Sequence, residues 1–438
     1  MSPLLHFALL AILALSFAVW LMLPWPLTLA LVVLAGLWLW ATRLGTQTRT
    51  VALLGLTTLH RRLGSAAVIV IGIAGVAGVI VALLAMAEGY SQTLRATGDD
   101  ETAIVLRGAS PSEVTSALDH SSVELIRQAA GIARDGDGEP LVSPEVVVAA
   151  SLPLKKGAPD EEGTVVLRGV SQRVWAVRPH VKIAAGRRFQ PGLRELLVGQ
   201  SAARQFANLA PGQQVQLGNQ TWLVVGIFAS GDALESELWG DATVVADAYN
   251  RGSVRNAVTV RLAEPQAITA LRDALGLHPQ LSVEVSTTAE YFGRQAEPMT
   301  NAIRAVGITV GAIMAIGSIF GALNAMYTSV AARARELATL RAVGFSGVPL
   351  VVGVLLEAVL LAAAGGATGG LLAGALFNGY SASTLAGGAV GQLAFELRVT
   401  PSVLWTGLKW ALAIGFIGGL FPAVRAVRAP IAGTLRQP

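Results

Sequence analysis

The sequence predicts an α-helical transmembrane bundle of six spans with a large α/β domain inserted between the third and fourth spans. Hydrophobic residues make up 53% of the 438 residues, charged residues only 14%, and the mean hydropathy is +0.58, values that exclude an ordinary soluble domain. Acidic residues are placed unevenly, since nearly all of them lie in residues 88–297. We therefore expect a membrane segment, a soluble region and a second membrane segment, in that order.

Six apolar runs approach or exceed the ~20 residues that cross a hydrocarbon core as a helix. They cover residues 4–23, 26–41, 66–87, 303–330, 348–377 and 403–421. The first two form a helical hairpin that turns at Pro24-Trp25-Pro26. A cleaved signal peptide is the alternative for residues 4–23, but no positive residue precedes this run and no small-residue cleavage pattern leads into a polar mature start.

Arginines beside these runs predict the orientation, because Lys and Arg are retained on the cytoplasmic side. The links at residues 42–65 and 331–347 and the tail after Phe421 are rich in arginine and nearly free of acid. We therefore expect all three inside, both termini in the cytoplasm and residues 88–297 outside. The same placement explains the net charge of +4 and the pI near 9.7 without nucleic acid as a partner.

The outer region is expected to be a mixed α/β fold of two subdomains that meet near Ala184. Alternating apolar and polar residues predict strands at residues 214–217 and 221–225. Apolar residues spaced by three and four predict helices within residues 111–130 and 266–277.

Residues that carry chemistry are sparse. The five histidines stand singly and there is no cysteine, so neither a zinc site nor a disulfide is expected. Ser201 follows Gly199 as in a nucleophile elbow, but the second glycine is missing, so we interpret this stretch as a strand leading into a helix capped by Ser201. Because the chain has no Gly-x-x-x-x-Gly-Lys-Ser/Thr motif, we expect no enzyme activity, cofactor or metal in this chain itself and assign any ATP use to another subunit.

The inner link at residues 331–347 is predicted to contain a short helix. Glu336, Leu340 and Arg341 lie at spacings that place charged and apolar groups along one helix, and Gly344 suits its C-terminal stop. Such a helix could pass a push from a cytoplasmic partner to the membrane helices. The alternative is a loop of residues that only set the orientation.

This link and the spans beside it contain Asn324, Ser329, Val330, Arg333, Arg335-Glu336, Leu340-Arg341-Ala342, Gly344, Leu356-Glu357-Ala358 and Gly365-Gly366. In identity and spacing these residues closely resemble the signature of the MacB/FtsX-like ABC transporter permease family. Two further blocks fit: Leu59-His-Arg-Arg-Leu63 leading into Gly72, and Gly418-Gly-Leu-Phe-Pro422. The resemblance covers roughly residues 49–436. The second of these blocks continues with Arg425, Arg428, Pro430 and Leu435-Arg436, and it is similar to the closing motif of the family.

The resemblance implies a four-part chain. Residues 1–45 would form an extra transmembrane hairpin, residues 46–89 a cytoplasmic elbow helix with the first core span, residues 90–297 a MacB-like periplasmic domain, and residues 298–438 an FtsX-like domain. The last part would hold three spans and a coupling helix at residues 331–346. The family commonly has a glycine soon after Glu336, where this chain has Leu337-Ala338-Thr339, and its core has four spans instead of six.

The resemblance also implies a function. A homodimer of this chain in the bacterial inner membrane would dock two separate ATPase subunits, which bind ATP and Mg, through Arg333, Arg335, Glu336, Leu340, Arg341 and Gly344. ATP hydrolysis would move the outer domain by mechanotransmission and drive export or extraction of a hydrophobic or amphipathic periplasmic substrate. MacB-like members add a periplasmic adaptor and an outer-membrane duct. The alternative is an FtsX-like signalling module that activates an external cell-wall hydrolase.

Three further positions within the predicted spans matter to this interpretation. Asn324 belongs to the family motif, and the charged residues Glu357 and Lys409 are costly in hydrocarbon unless paired. We expect Glu357 to hold the coupling helix, with a proton relay as the alternative, and Lys409 to snorkel toward the outer headgroups. Small residues are expected to pack helices closely at Gly365, Gly366, Gly369, Gly370 and Gly374.

Overall fold

The structure, a computed structural model, describes residues 19–20, 22–57, 63–155, 161–278, 280–384 and 391–428. Most of the predicted first span at residues 4–23, four of the five residues of the Leu59–Leu63 motif, and Pro430 and Leu435-Arg436 lie outside the described residues. The chain divides into two compact units. The helical unit comprises Met1–Glu88, Asn301–Tyr380 and Leu397–Pro438, and the sheet unit comprises Gly89–Thr300 and Ser381–Glu396.

Seven described helices belong wholly or partly to the helical unit. They are α1 (Trp25–Ala41), α2 (Arg43–Thr57), α3 (Leu63–Arg95), α9 (Thr288–Ala332), α10 (Ala334–Ala342), α11 (Gly347–Phe377) and α12 (Pro401–Arg428). Among the described residues, α3, α9, α11 and α12 are the helices long and apolar enough to span a membrane. They contain the third to sixth predicted spans, while the prediction of six spans is not confirmed.

The second predicted span is only the first part of a bent pair. Residues 26–41 and 43–55 meet at 98°, and counting this pair as one span would raise the number of candidate spans to five. The bend is built at Thr42, whose hydroxyl donates to the Trp38 carbonyl at 2.9 Å and accepts from the Gly45 amide at 2.9 Å. Thr42 thus caps the end of α1 and the start of α2 with one side chain.

The long helices pack through small residues, as the sequence predicts. A Cβ added to Gly366 of α11 would lie 2.6 Å from the Cβ of Ala411 in α12. A Cβ added to Gly365 would lie 2.8 Å from the carbonyl oxygen of Val70 in α3. Gly415 and Gly419 of α12 face alanines of α11 in the same way. Only glycine fits such contacts, so α11 and α12 lie close together along their length.

The sheet unit is built on a ten-stranded sheet. Nine strands follow the order β10-β1-β9-β2-β3-β8-β5-β7-β4, and β6 pairs with β7. A separate hairpin, β11 with β12, comes from the segment between α11 and α12. The strands are β1 (Thr102–Arg107), β2 (Val142–Pro153), β3 (Glu162–Val170), β4 (Lys182–Gly186), β5 (Glu195–Gly199), β6 (Gln214–Leu217), β7 (Gln220–Ala229), β8 (Glu237–Asp241), β9 (Ala257–Arg261), β10 (Val283–Thr287), β11 (Ser381–Ser383) and β12 (Ala394–Glu396).

Short helices complete the sheet unit. They are α4 (His120–Arg127), α5 (Val174–Val177), α6 (Gln200–Gln205), α7 (Ala242–Ala248) and α8 (Ala267–Gly276). The strands predicted at residues 214–217 and 221–225 and the helix predicted at 266–277 are confirmed by β6, β7 and α8. The helix expected within residues 111–130 is shorter, because only α4 and a 3-10 turn at Glu113–Thr115 form there.

The predicted subdomain boundary near Ala184 is wrong, since this residue lies inside β4. The two largest apolar cores of the sheet unit are nevertheless separate, and the chain passes from one to the other and back. One core gathers residues of β1, β9, α4 and α8, and the other gathers residues of β2, β3, β5, β7 and α7. Glu145 is the last residue of β2 to pair with β9, and Val146 is the first to pair with β3, so the transition lies at this point.

Candidate coupling site

The inner link contains a short helix, as the sequence predicts, but this helix is shorter than the predicted residues 331–346. α9 ends at Ala332, Arg333 leaves the helical backbone region, and α10 covers Ala334–Ala342. Gly344 has a φ of +107°, a conformation that favours glycine, and its amide donates to the Arg341 carbonyl at 3.1 Å. The Phe345 amide donates to the Leu340 carbonyl at 3.1 Å, which completes a Schellman motif and confirms the predicted helix stop.

The two faces of α10 have different surroundings. On the inner face, Leu337 is buried and packs with Val51 of α2 and Leu350 of α11. On the outer face, Arg335 and Thr339 are exposed and lie one turn apart. The outer face is therefore available to a partner, while the inner face fixes the helix to its neighbours.

A buried ion pair ties the start of α10 to the middle of the bundle. Arg333 Nη1 lies 3.0 Å from Glu357 Oε2 of α11, and the two side chains are only 6% and 3% exposed. Arg333 Nε also lies 3.1 Å from Glu336 Oε2, whose side chain is 57% exposed. One guanidinium thus binds one buried and one exposed carboxylate.

Gly55 of α2 packs directly against this ion pair. A Cβ added at Gly55 would clash with Glu357 Oε2 and would lie 3.0 Å from Arg333 Nη1. Nearby, a Cβ on Gly353 of α11 would meet the Val51 side chain of α2 at 2.6 Å. The absence of these two side chains lets α2, α10 and α11 meet at one point.

The other predicted site residues are more dispersed. Leu340 is half-buried against the Val51 cluster, and Arg341 lines a cavity between α10 and α12. Asn324 is exposed on α9. Lys409 has a buried side chain whose Nζ donates to the Leu23 carbonyl at 3.2 Å, and its reach toward the outer headgroups stays a prediction.

A second charged cluster, in the sheet unit, was not predicted. Arg168 of β3 is 1% exposed and contacts three carboxylates at 2.7–2.8 Å, those of Glu113, Glu145 and Glu237. Arg178 binds the other oxygen of Glu145 at 2.7 Å. A lone arginine inside the apolar run of β3 is the sequence signal that could have revealed the cluster.

The electrostatics of this cluster favour its charged state. Burial disfavours the carboxylate of Glu145, but the guanidiniums of Arg178 and Arg168 overcome this effect and hold the pKa of Glu145 below its ordinary value. Because Glu145 marks the point where β2 passes between the two cores, the cluster joins the two halves of the sheet unit.

A cavity of about 250 Å³ borders the same cluster within the sheet unit. Arg168, Glu113 and Glu237 lie at one side of it. Most of its remaining wall is aromatic or apolar, including Leu94, Leu234, Tyr291, Phe292 and Met299. This composition suits an apolar or amphipathic group.

The predicted passage from strand to helix is present, with β5 ending at Gly199 and α6 beginning at Gln200, so Ser201 is the second residue of α6. The helix is capped at Gly199, so the assignment of Ser201 as the cap is wrong. The hydroxyl of Ser201 donates instead to Glu235 Oε2 at 3.3 Å. Within the described ranges, no group of three His, Asp or Glu side chains is placed to hold a metal ion.

Two family models match most of the chain. Residues 64–276 match the MacB-like periplasmic core domain, and residues 308–431 match the FtsX-like permease C-terminal region. The first covers nearly all of α3, the strands β1 to β9 and the helices α4 to α8. The second covers α10, α11, α12 and most of α9.

Curated relatives agree with these matches. The macrolide export ATP-binding/permease protein MacB 1 of Aeromonas hydrophila is 27% identical over 305 residues, which cover 64% of this chain and 44% of that protein. This chain thus spans less than half the length of that relative. The uncharacterized ABC transporter permease YknZ of Bacillus subtilis is 24% identical over 311 residues, which cover 67% of this chain and 75% of that protein.

Two solved structures also resemble the chain. The periplasmic region of MacB from Actinobacillus actinomycetemcomitans is 17% identical with a TM-score of 0.34, covering 45% of this chain and 93% of that chain. The extracellular domain of YknZ from Gram-positive bacteria is 16% identical with a TM-score of 0.33, covering 42% of this chain and all of that domain. From the motif residues and the two matched family models, the chain belongs to the MacB/FtsX-like ABC transporter permease family.

Proposed function

We propose that this chain is the permease subunit of an ABC transporter in the inner membrane, and that it converts ATP hydrolysis in a separate ATPase subunit into motion of its sheet unit. The observation that carries the proposal is the two-sided environment of α10. Its outer face exposes Arg335 and Thr339, while its start is bound to α11 by the buried pair of Arg333 and Glu357. A helix that is exposed on one side and fixed on the other can pass on a displacement.

Two routes would carry this displacement onward. The ion pair and Gly55 link α10 to α11 and α2 within the helical unit. The long helices α3 and α9 each contain residues of both units, and a continuous helix moves largely as a body. We propose that the complex contains two copies of this chain and two ATPase subunits, which bind ATP and Mg. Both termini of the chain would lie in the cytoplasm.

The proposed substrate is a hydrophobic or amphipathic molecule outside the cytoplasm, which the transporter exports or extracts. The cavity of about 250 Å³ in the sheet unit supports this class, because aromatic and apolar side chains stand beside a buried charged cluster. The Aeromonas relative is named a macrolide export protein, which agrees with this class of substrate. An adaptor and an outer-membrane channel would extend the path in a cell that has an outer membrane.

The partner decides the function, so the test is to purify the tagged full chain in mild detergent and identify co-purifying proteins by mass spectrometry. The variant Arg335→Glu with Thr339→Glu changes the outer face of α10. The control Arg428→Glu makes a charge reversal at an exposed arginine of α12.

Each outcome has a distinct meaning. We expect an ABC ATPase with the wild type and the control, and its loss with the α10 variant. Stimulation of that ATPase by an amphipathic compound would support export or extraction. An ATPase that arrives with an activator of cell-wall hydrolases would instead favour the signalling function. Absence of any ATPase from the wild type would refute both.

A further inference from the structure

A second cavity, of about 280 Å³, lies in the helical unit between the end of α9, the inner face of α10 and the end of α12. Val330, Leu337 and Pro422 are among the apolar residues that line it. Its polar groups are those of Tyr327, Arg341 and Arg425. Other parts of the protein therefore do not cover the whole inner face of α10, although contacts on this face hold the helix in place.

The position of this cavity along the helices corresponds to the edge of the membrane. The apolar run in α9 ends at Val330, and the run in α12 ends at Phe421, so both end where the cavity begins. Tyr327 and Arg425 are residue types that favour the interface between hydrocarbon and water. By the distribution of arginines, this interface is the cytoplasmic one.

The charge of the cavity favours an anion. None of the described residues that line it is acidic, whereas Arg341 and Arg425 both contribute guanidinium groups. The guanidinium of Arg425 lies 5.5 Å from the centre of the Tyr327 ring, a cation–π contact that orients it. The planar guanidinium fork matches the oxygens of a phosphate better than any other side chain does.

An exposed apolar stripe on α9 leads to the cavity. Ile313, Ile316 and Phe320 are all exposed and recur at spacings of three and four, and Tyr327 continues the same face two turns after Phe320. A cavity of about 280 Å³ is smaller than most pockets that enclose a whole drug-sized ligand, so it suits a headgroup fragment. The stripe lies where an acyl chain attached to that headgroup would run.

We propose that this cavity binds the phosphate headgroup of an anionic phospholipid of the cytoplasmic leaflet, with Arg341 and Arg425 on the phosphate and an acyl chain along α9. Basic pockets between membrane helices on the cytoplasmic side commonly bind such headgroups. The lipid would fill the gap behind α10 and thereby support the helix from its inner face. Binding of the lipid to the purified chain can be measured in the absence of the ATPase, so the test does not need one.

The test is native mass spectrometry of the full chain in detergent, titrated with phosphatidylglycerol or phosphatidylcholine. We expect the wild type to bind phosphatidylglycerol at least about tenfold more tightly, and the double variant R341Q/R425Q to weaken that binding by roughly 10- to 30-fold. The control R335Q/R428Q removes two exposed arginines of the same helices that do not line the cavity, and should bind phosphatidylglycerol as the wild type does.

Several results would overturn the proposal. If the wild type bound phosphatidylglycerol and phosphatidylcholine equally, the proposal would be wrong whether or not the variants fold. It would also be wrong if the double variant and the control lost phosphatidylglycerol affinity to the same extent. Displacement of phosphatidylglycerol by an equal concentration of inorganic phosphate would show a site for small anions instead of a lipid. A double variant that changes the oligomeric state while retaining its lipid would assign the cavity to contact with a second copy.

Discussion

The variant Glu357→Gln tests how strongly the buried ion pair holds α10. It removes the charge of a carboxylate that is 3% exposed and leaves the Arg333 guanidinium buried without its main counter-charge. Breaking a buried pair from one side typically costs 3–5 kcal/mol. Because Arg333 keeps its contact with Glu336, we take the lower end, about 3 kcal/mol.

The matched control is Glu336→Gln, which removes the other carboxylate bound by the same arginine. Its side chain is 57% exposed, and exposed ion pairs contribute only about 0–1 kcal/mol. Each variant therefore replaces one carboxylate bound by the Arg333 guanidinium with an amide, at a buried position in Glu357→Gln and at an exposed position in Glu336→Gln. They should differ by at least about 2 kcal/mol in the free energy of opening α10.

Hydrogen–deuterium exchange of the peptide covering Ala334–Ala342 measures this opening directly. We expect exchange to be faster by about 100-fold or more in Glu357→Gln and by less than about fivefold in Glu336→Gln. Equal exchange in the two variants would refute the reasoning, because burial would then make no difference to the pair. A large effect throughout α11 and α12 would show that Glu357 stabilises the whole bundle and not the attachment of α10.

Three further outcomes are expected. Gly55→Ala should lower the thermal midpoint of the full chain and speed hydrogen exchange in α10. The control Gly36→Ala, at a helix position with open space, should leave both quantities unchanged or raise stability by up to about 1 kcal/mol. Equal effects of the two variants would exclude a steric role for Gly55. Gly344→Ala, at a φ of +107°, should destabilise the end of α10 by about 1 kcal/mol or more, visible as faster exchange there and contradicted by unchanged rates. Because folding lowers the pKa of Glu145, its charged form stabilises the sheet unit fully above the unfolded pKa of about 4.3, and this stability is lost as the pH falls through the lower folded pKa. Unfolding of the sheet unit, followed by circular dichroism, should therefore become easier below about pH 4, and this change should be less steep in Arg168→Met. A variant with the wild-type pH profile would contradict this.

Local signals in the sequence predicted local features correctly. Runs of apolar residues identified α3, α9, α11 and α12, because membrane spans are defined by composition over a single window. Gly344 identified the end of α10, since the left-handed conformation of a helix stop is a property of one residue. Short alternating stretches identified β6 and β7 in the same way.

Features that depend on distant residues were missed or misplaced. Gly55 has no unusual backbone angle, and its role becomes visible only when α2 lies against Arg333 and Glu357. Lys409 finds an acceptor in the Leu23 carbonyl, which lies 386 positions away in the chain, so this contact could not be predicted from its neighbours in sequence. The predicted boundary near Ala184 was wrong because this residue lies in β4, which belongs to a sheet whose other strands come from before and after β4 in the sequence.

The glycine seam between α11 and α12 has a consequence for how this protein can change. At Gly415 and Gly419, even the methyl group of alanine would force the two helices apart, so these positions tolerate almost no variation. The outward side of α9, with Ile313 and Ile316 exposed, places no such demand on side-chain shape. Under the proposed function, mutational libraries made to alter transport should therefore spare α11 and α12 and vary the apolar wall of the sheet-unit cavity, whose lining residues lie outside both helices.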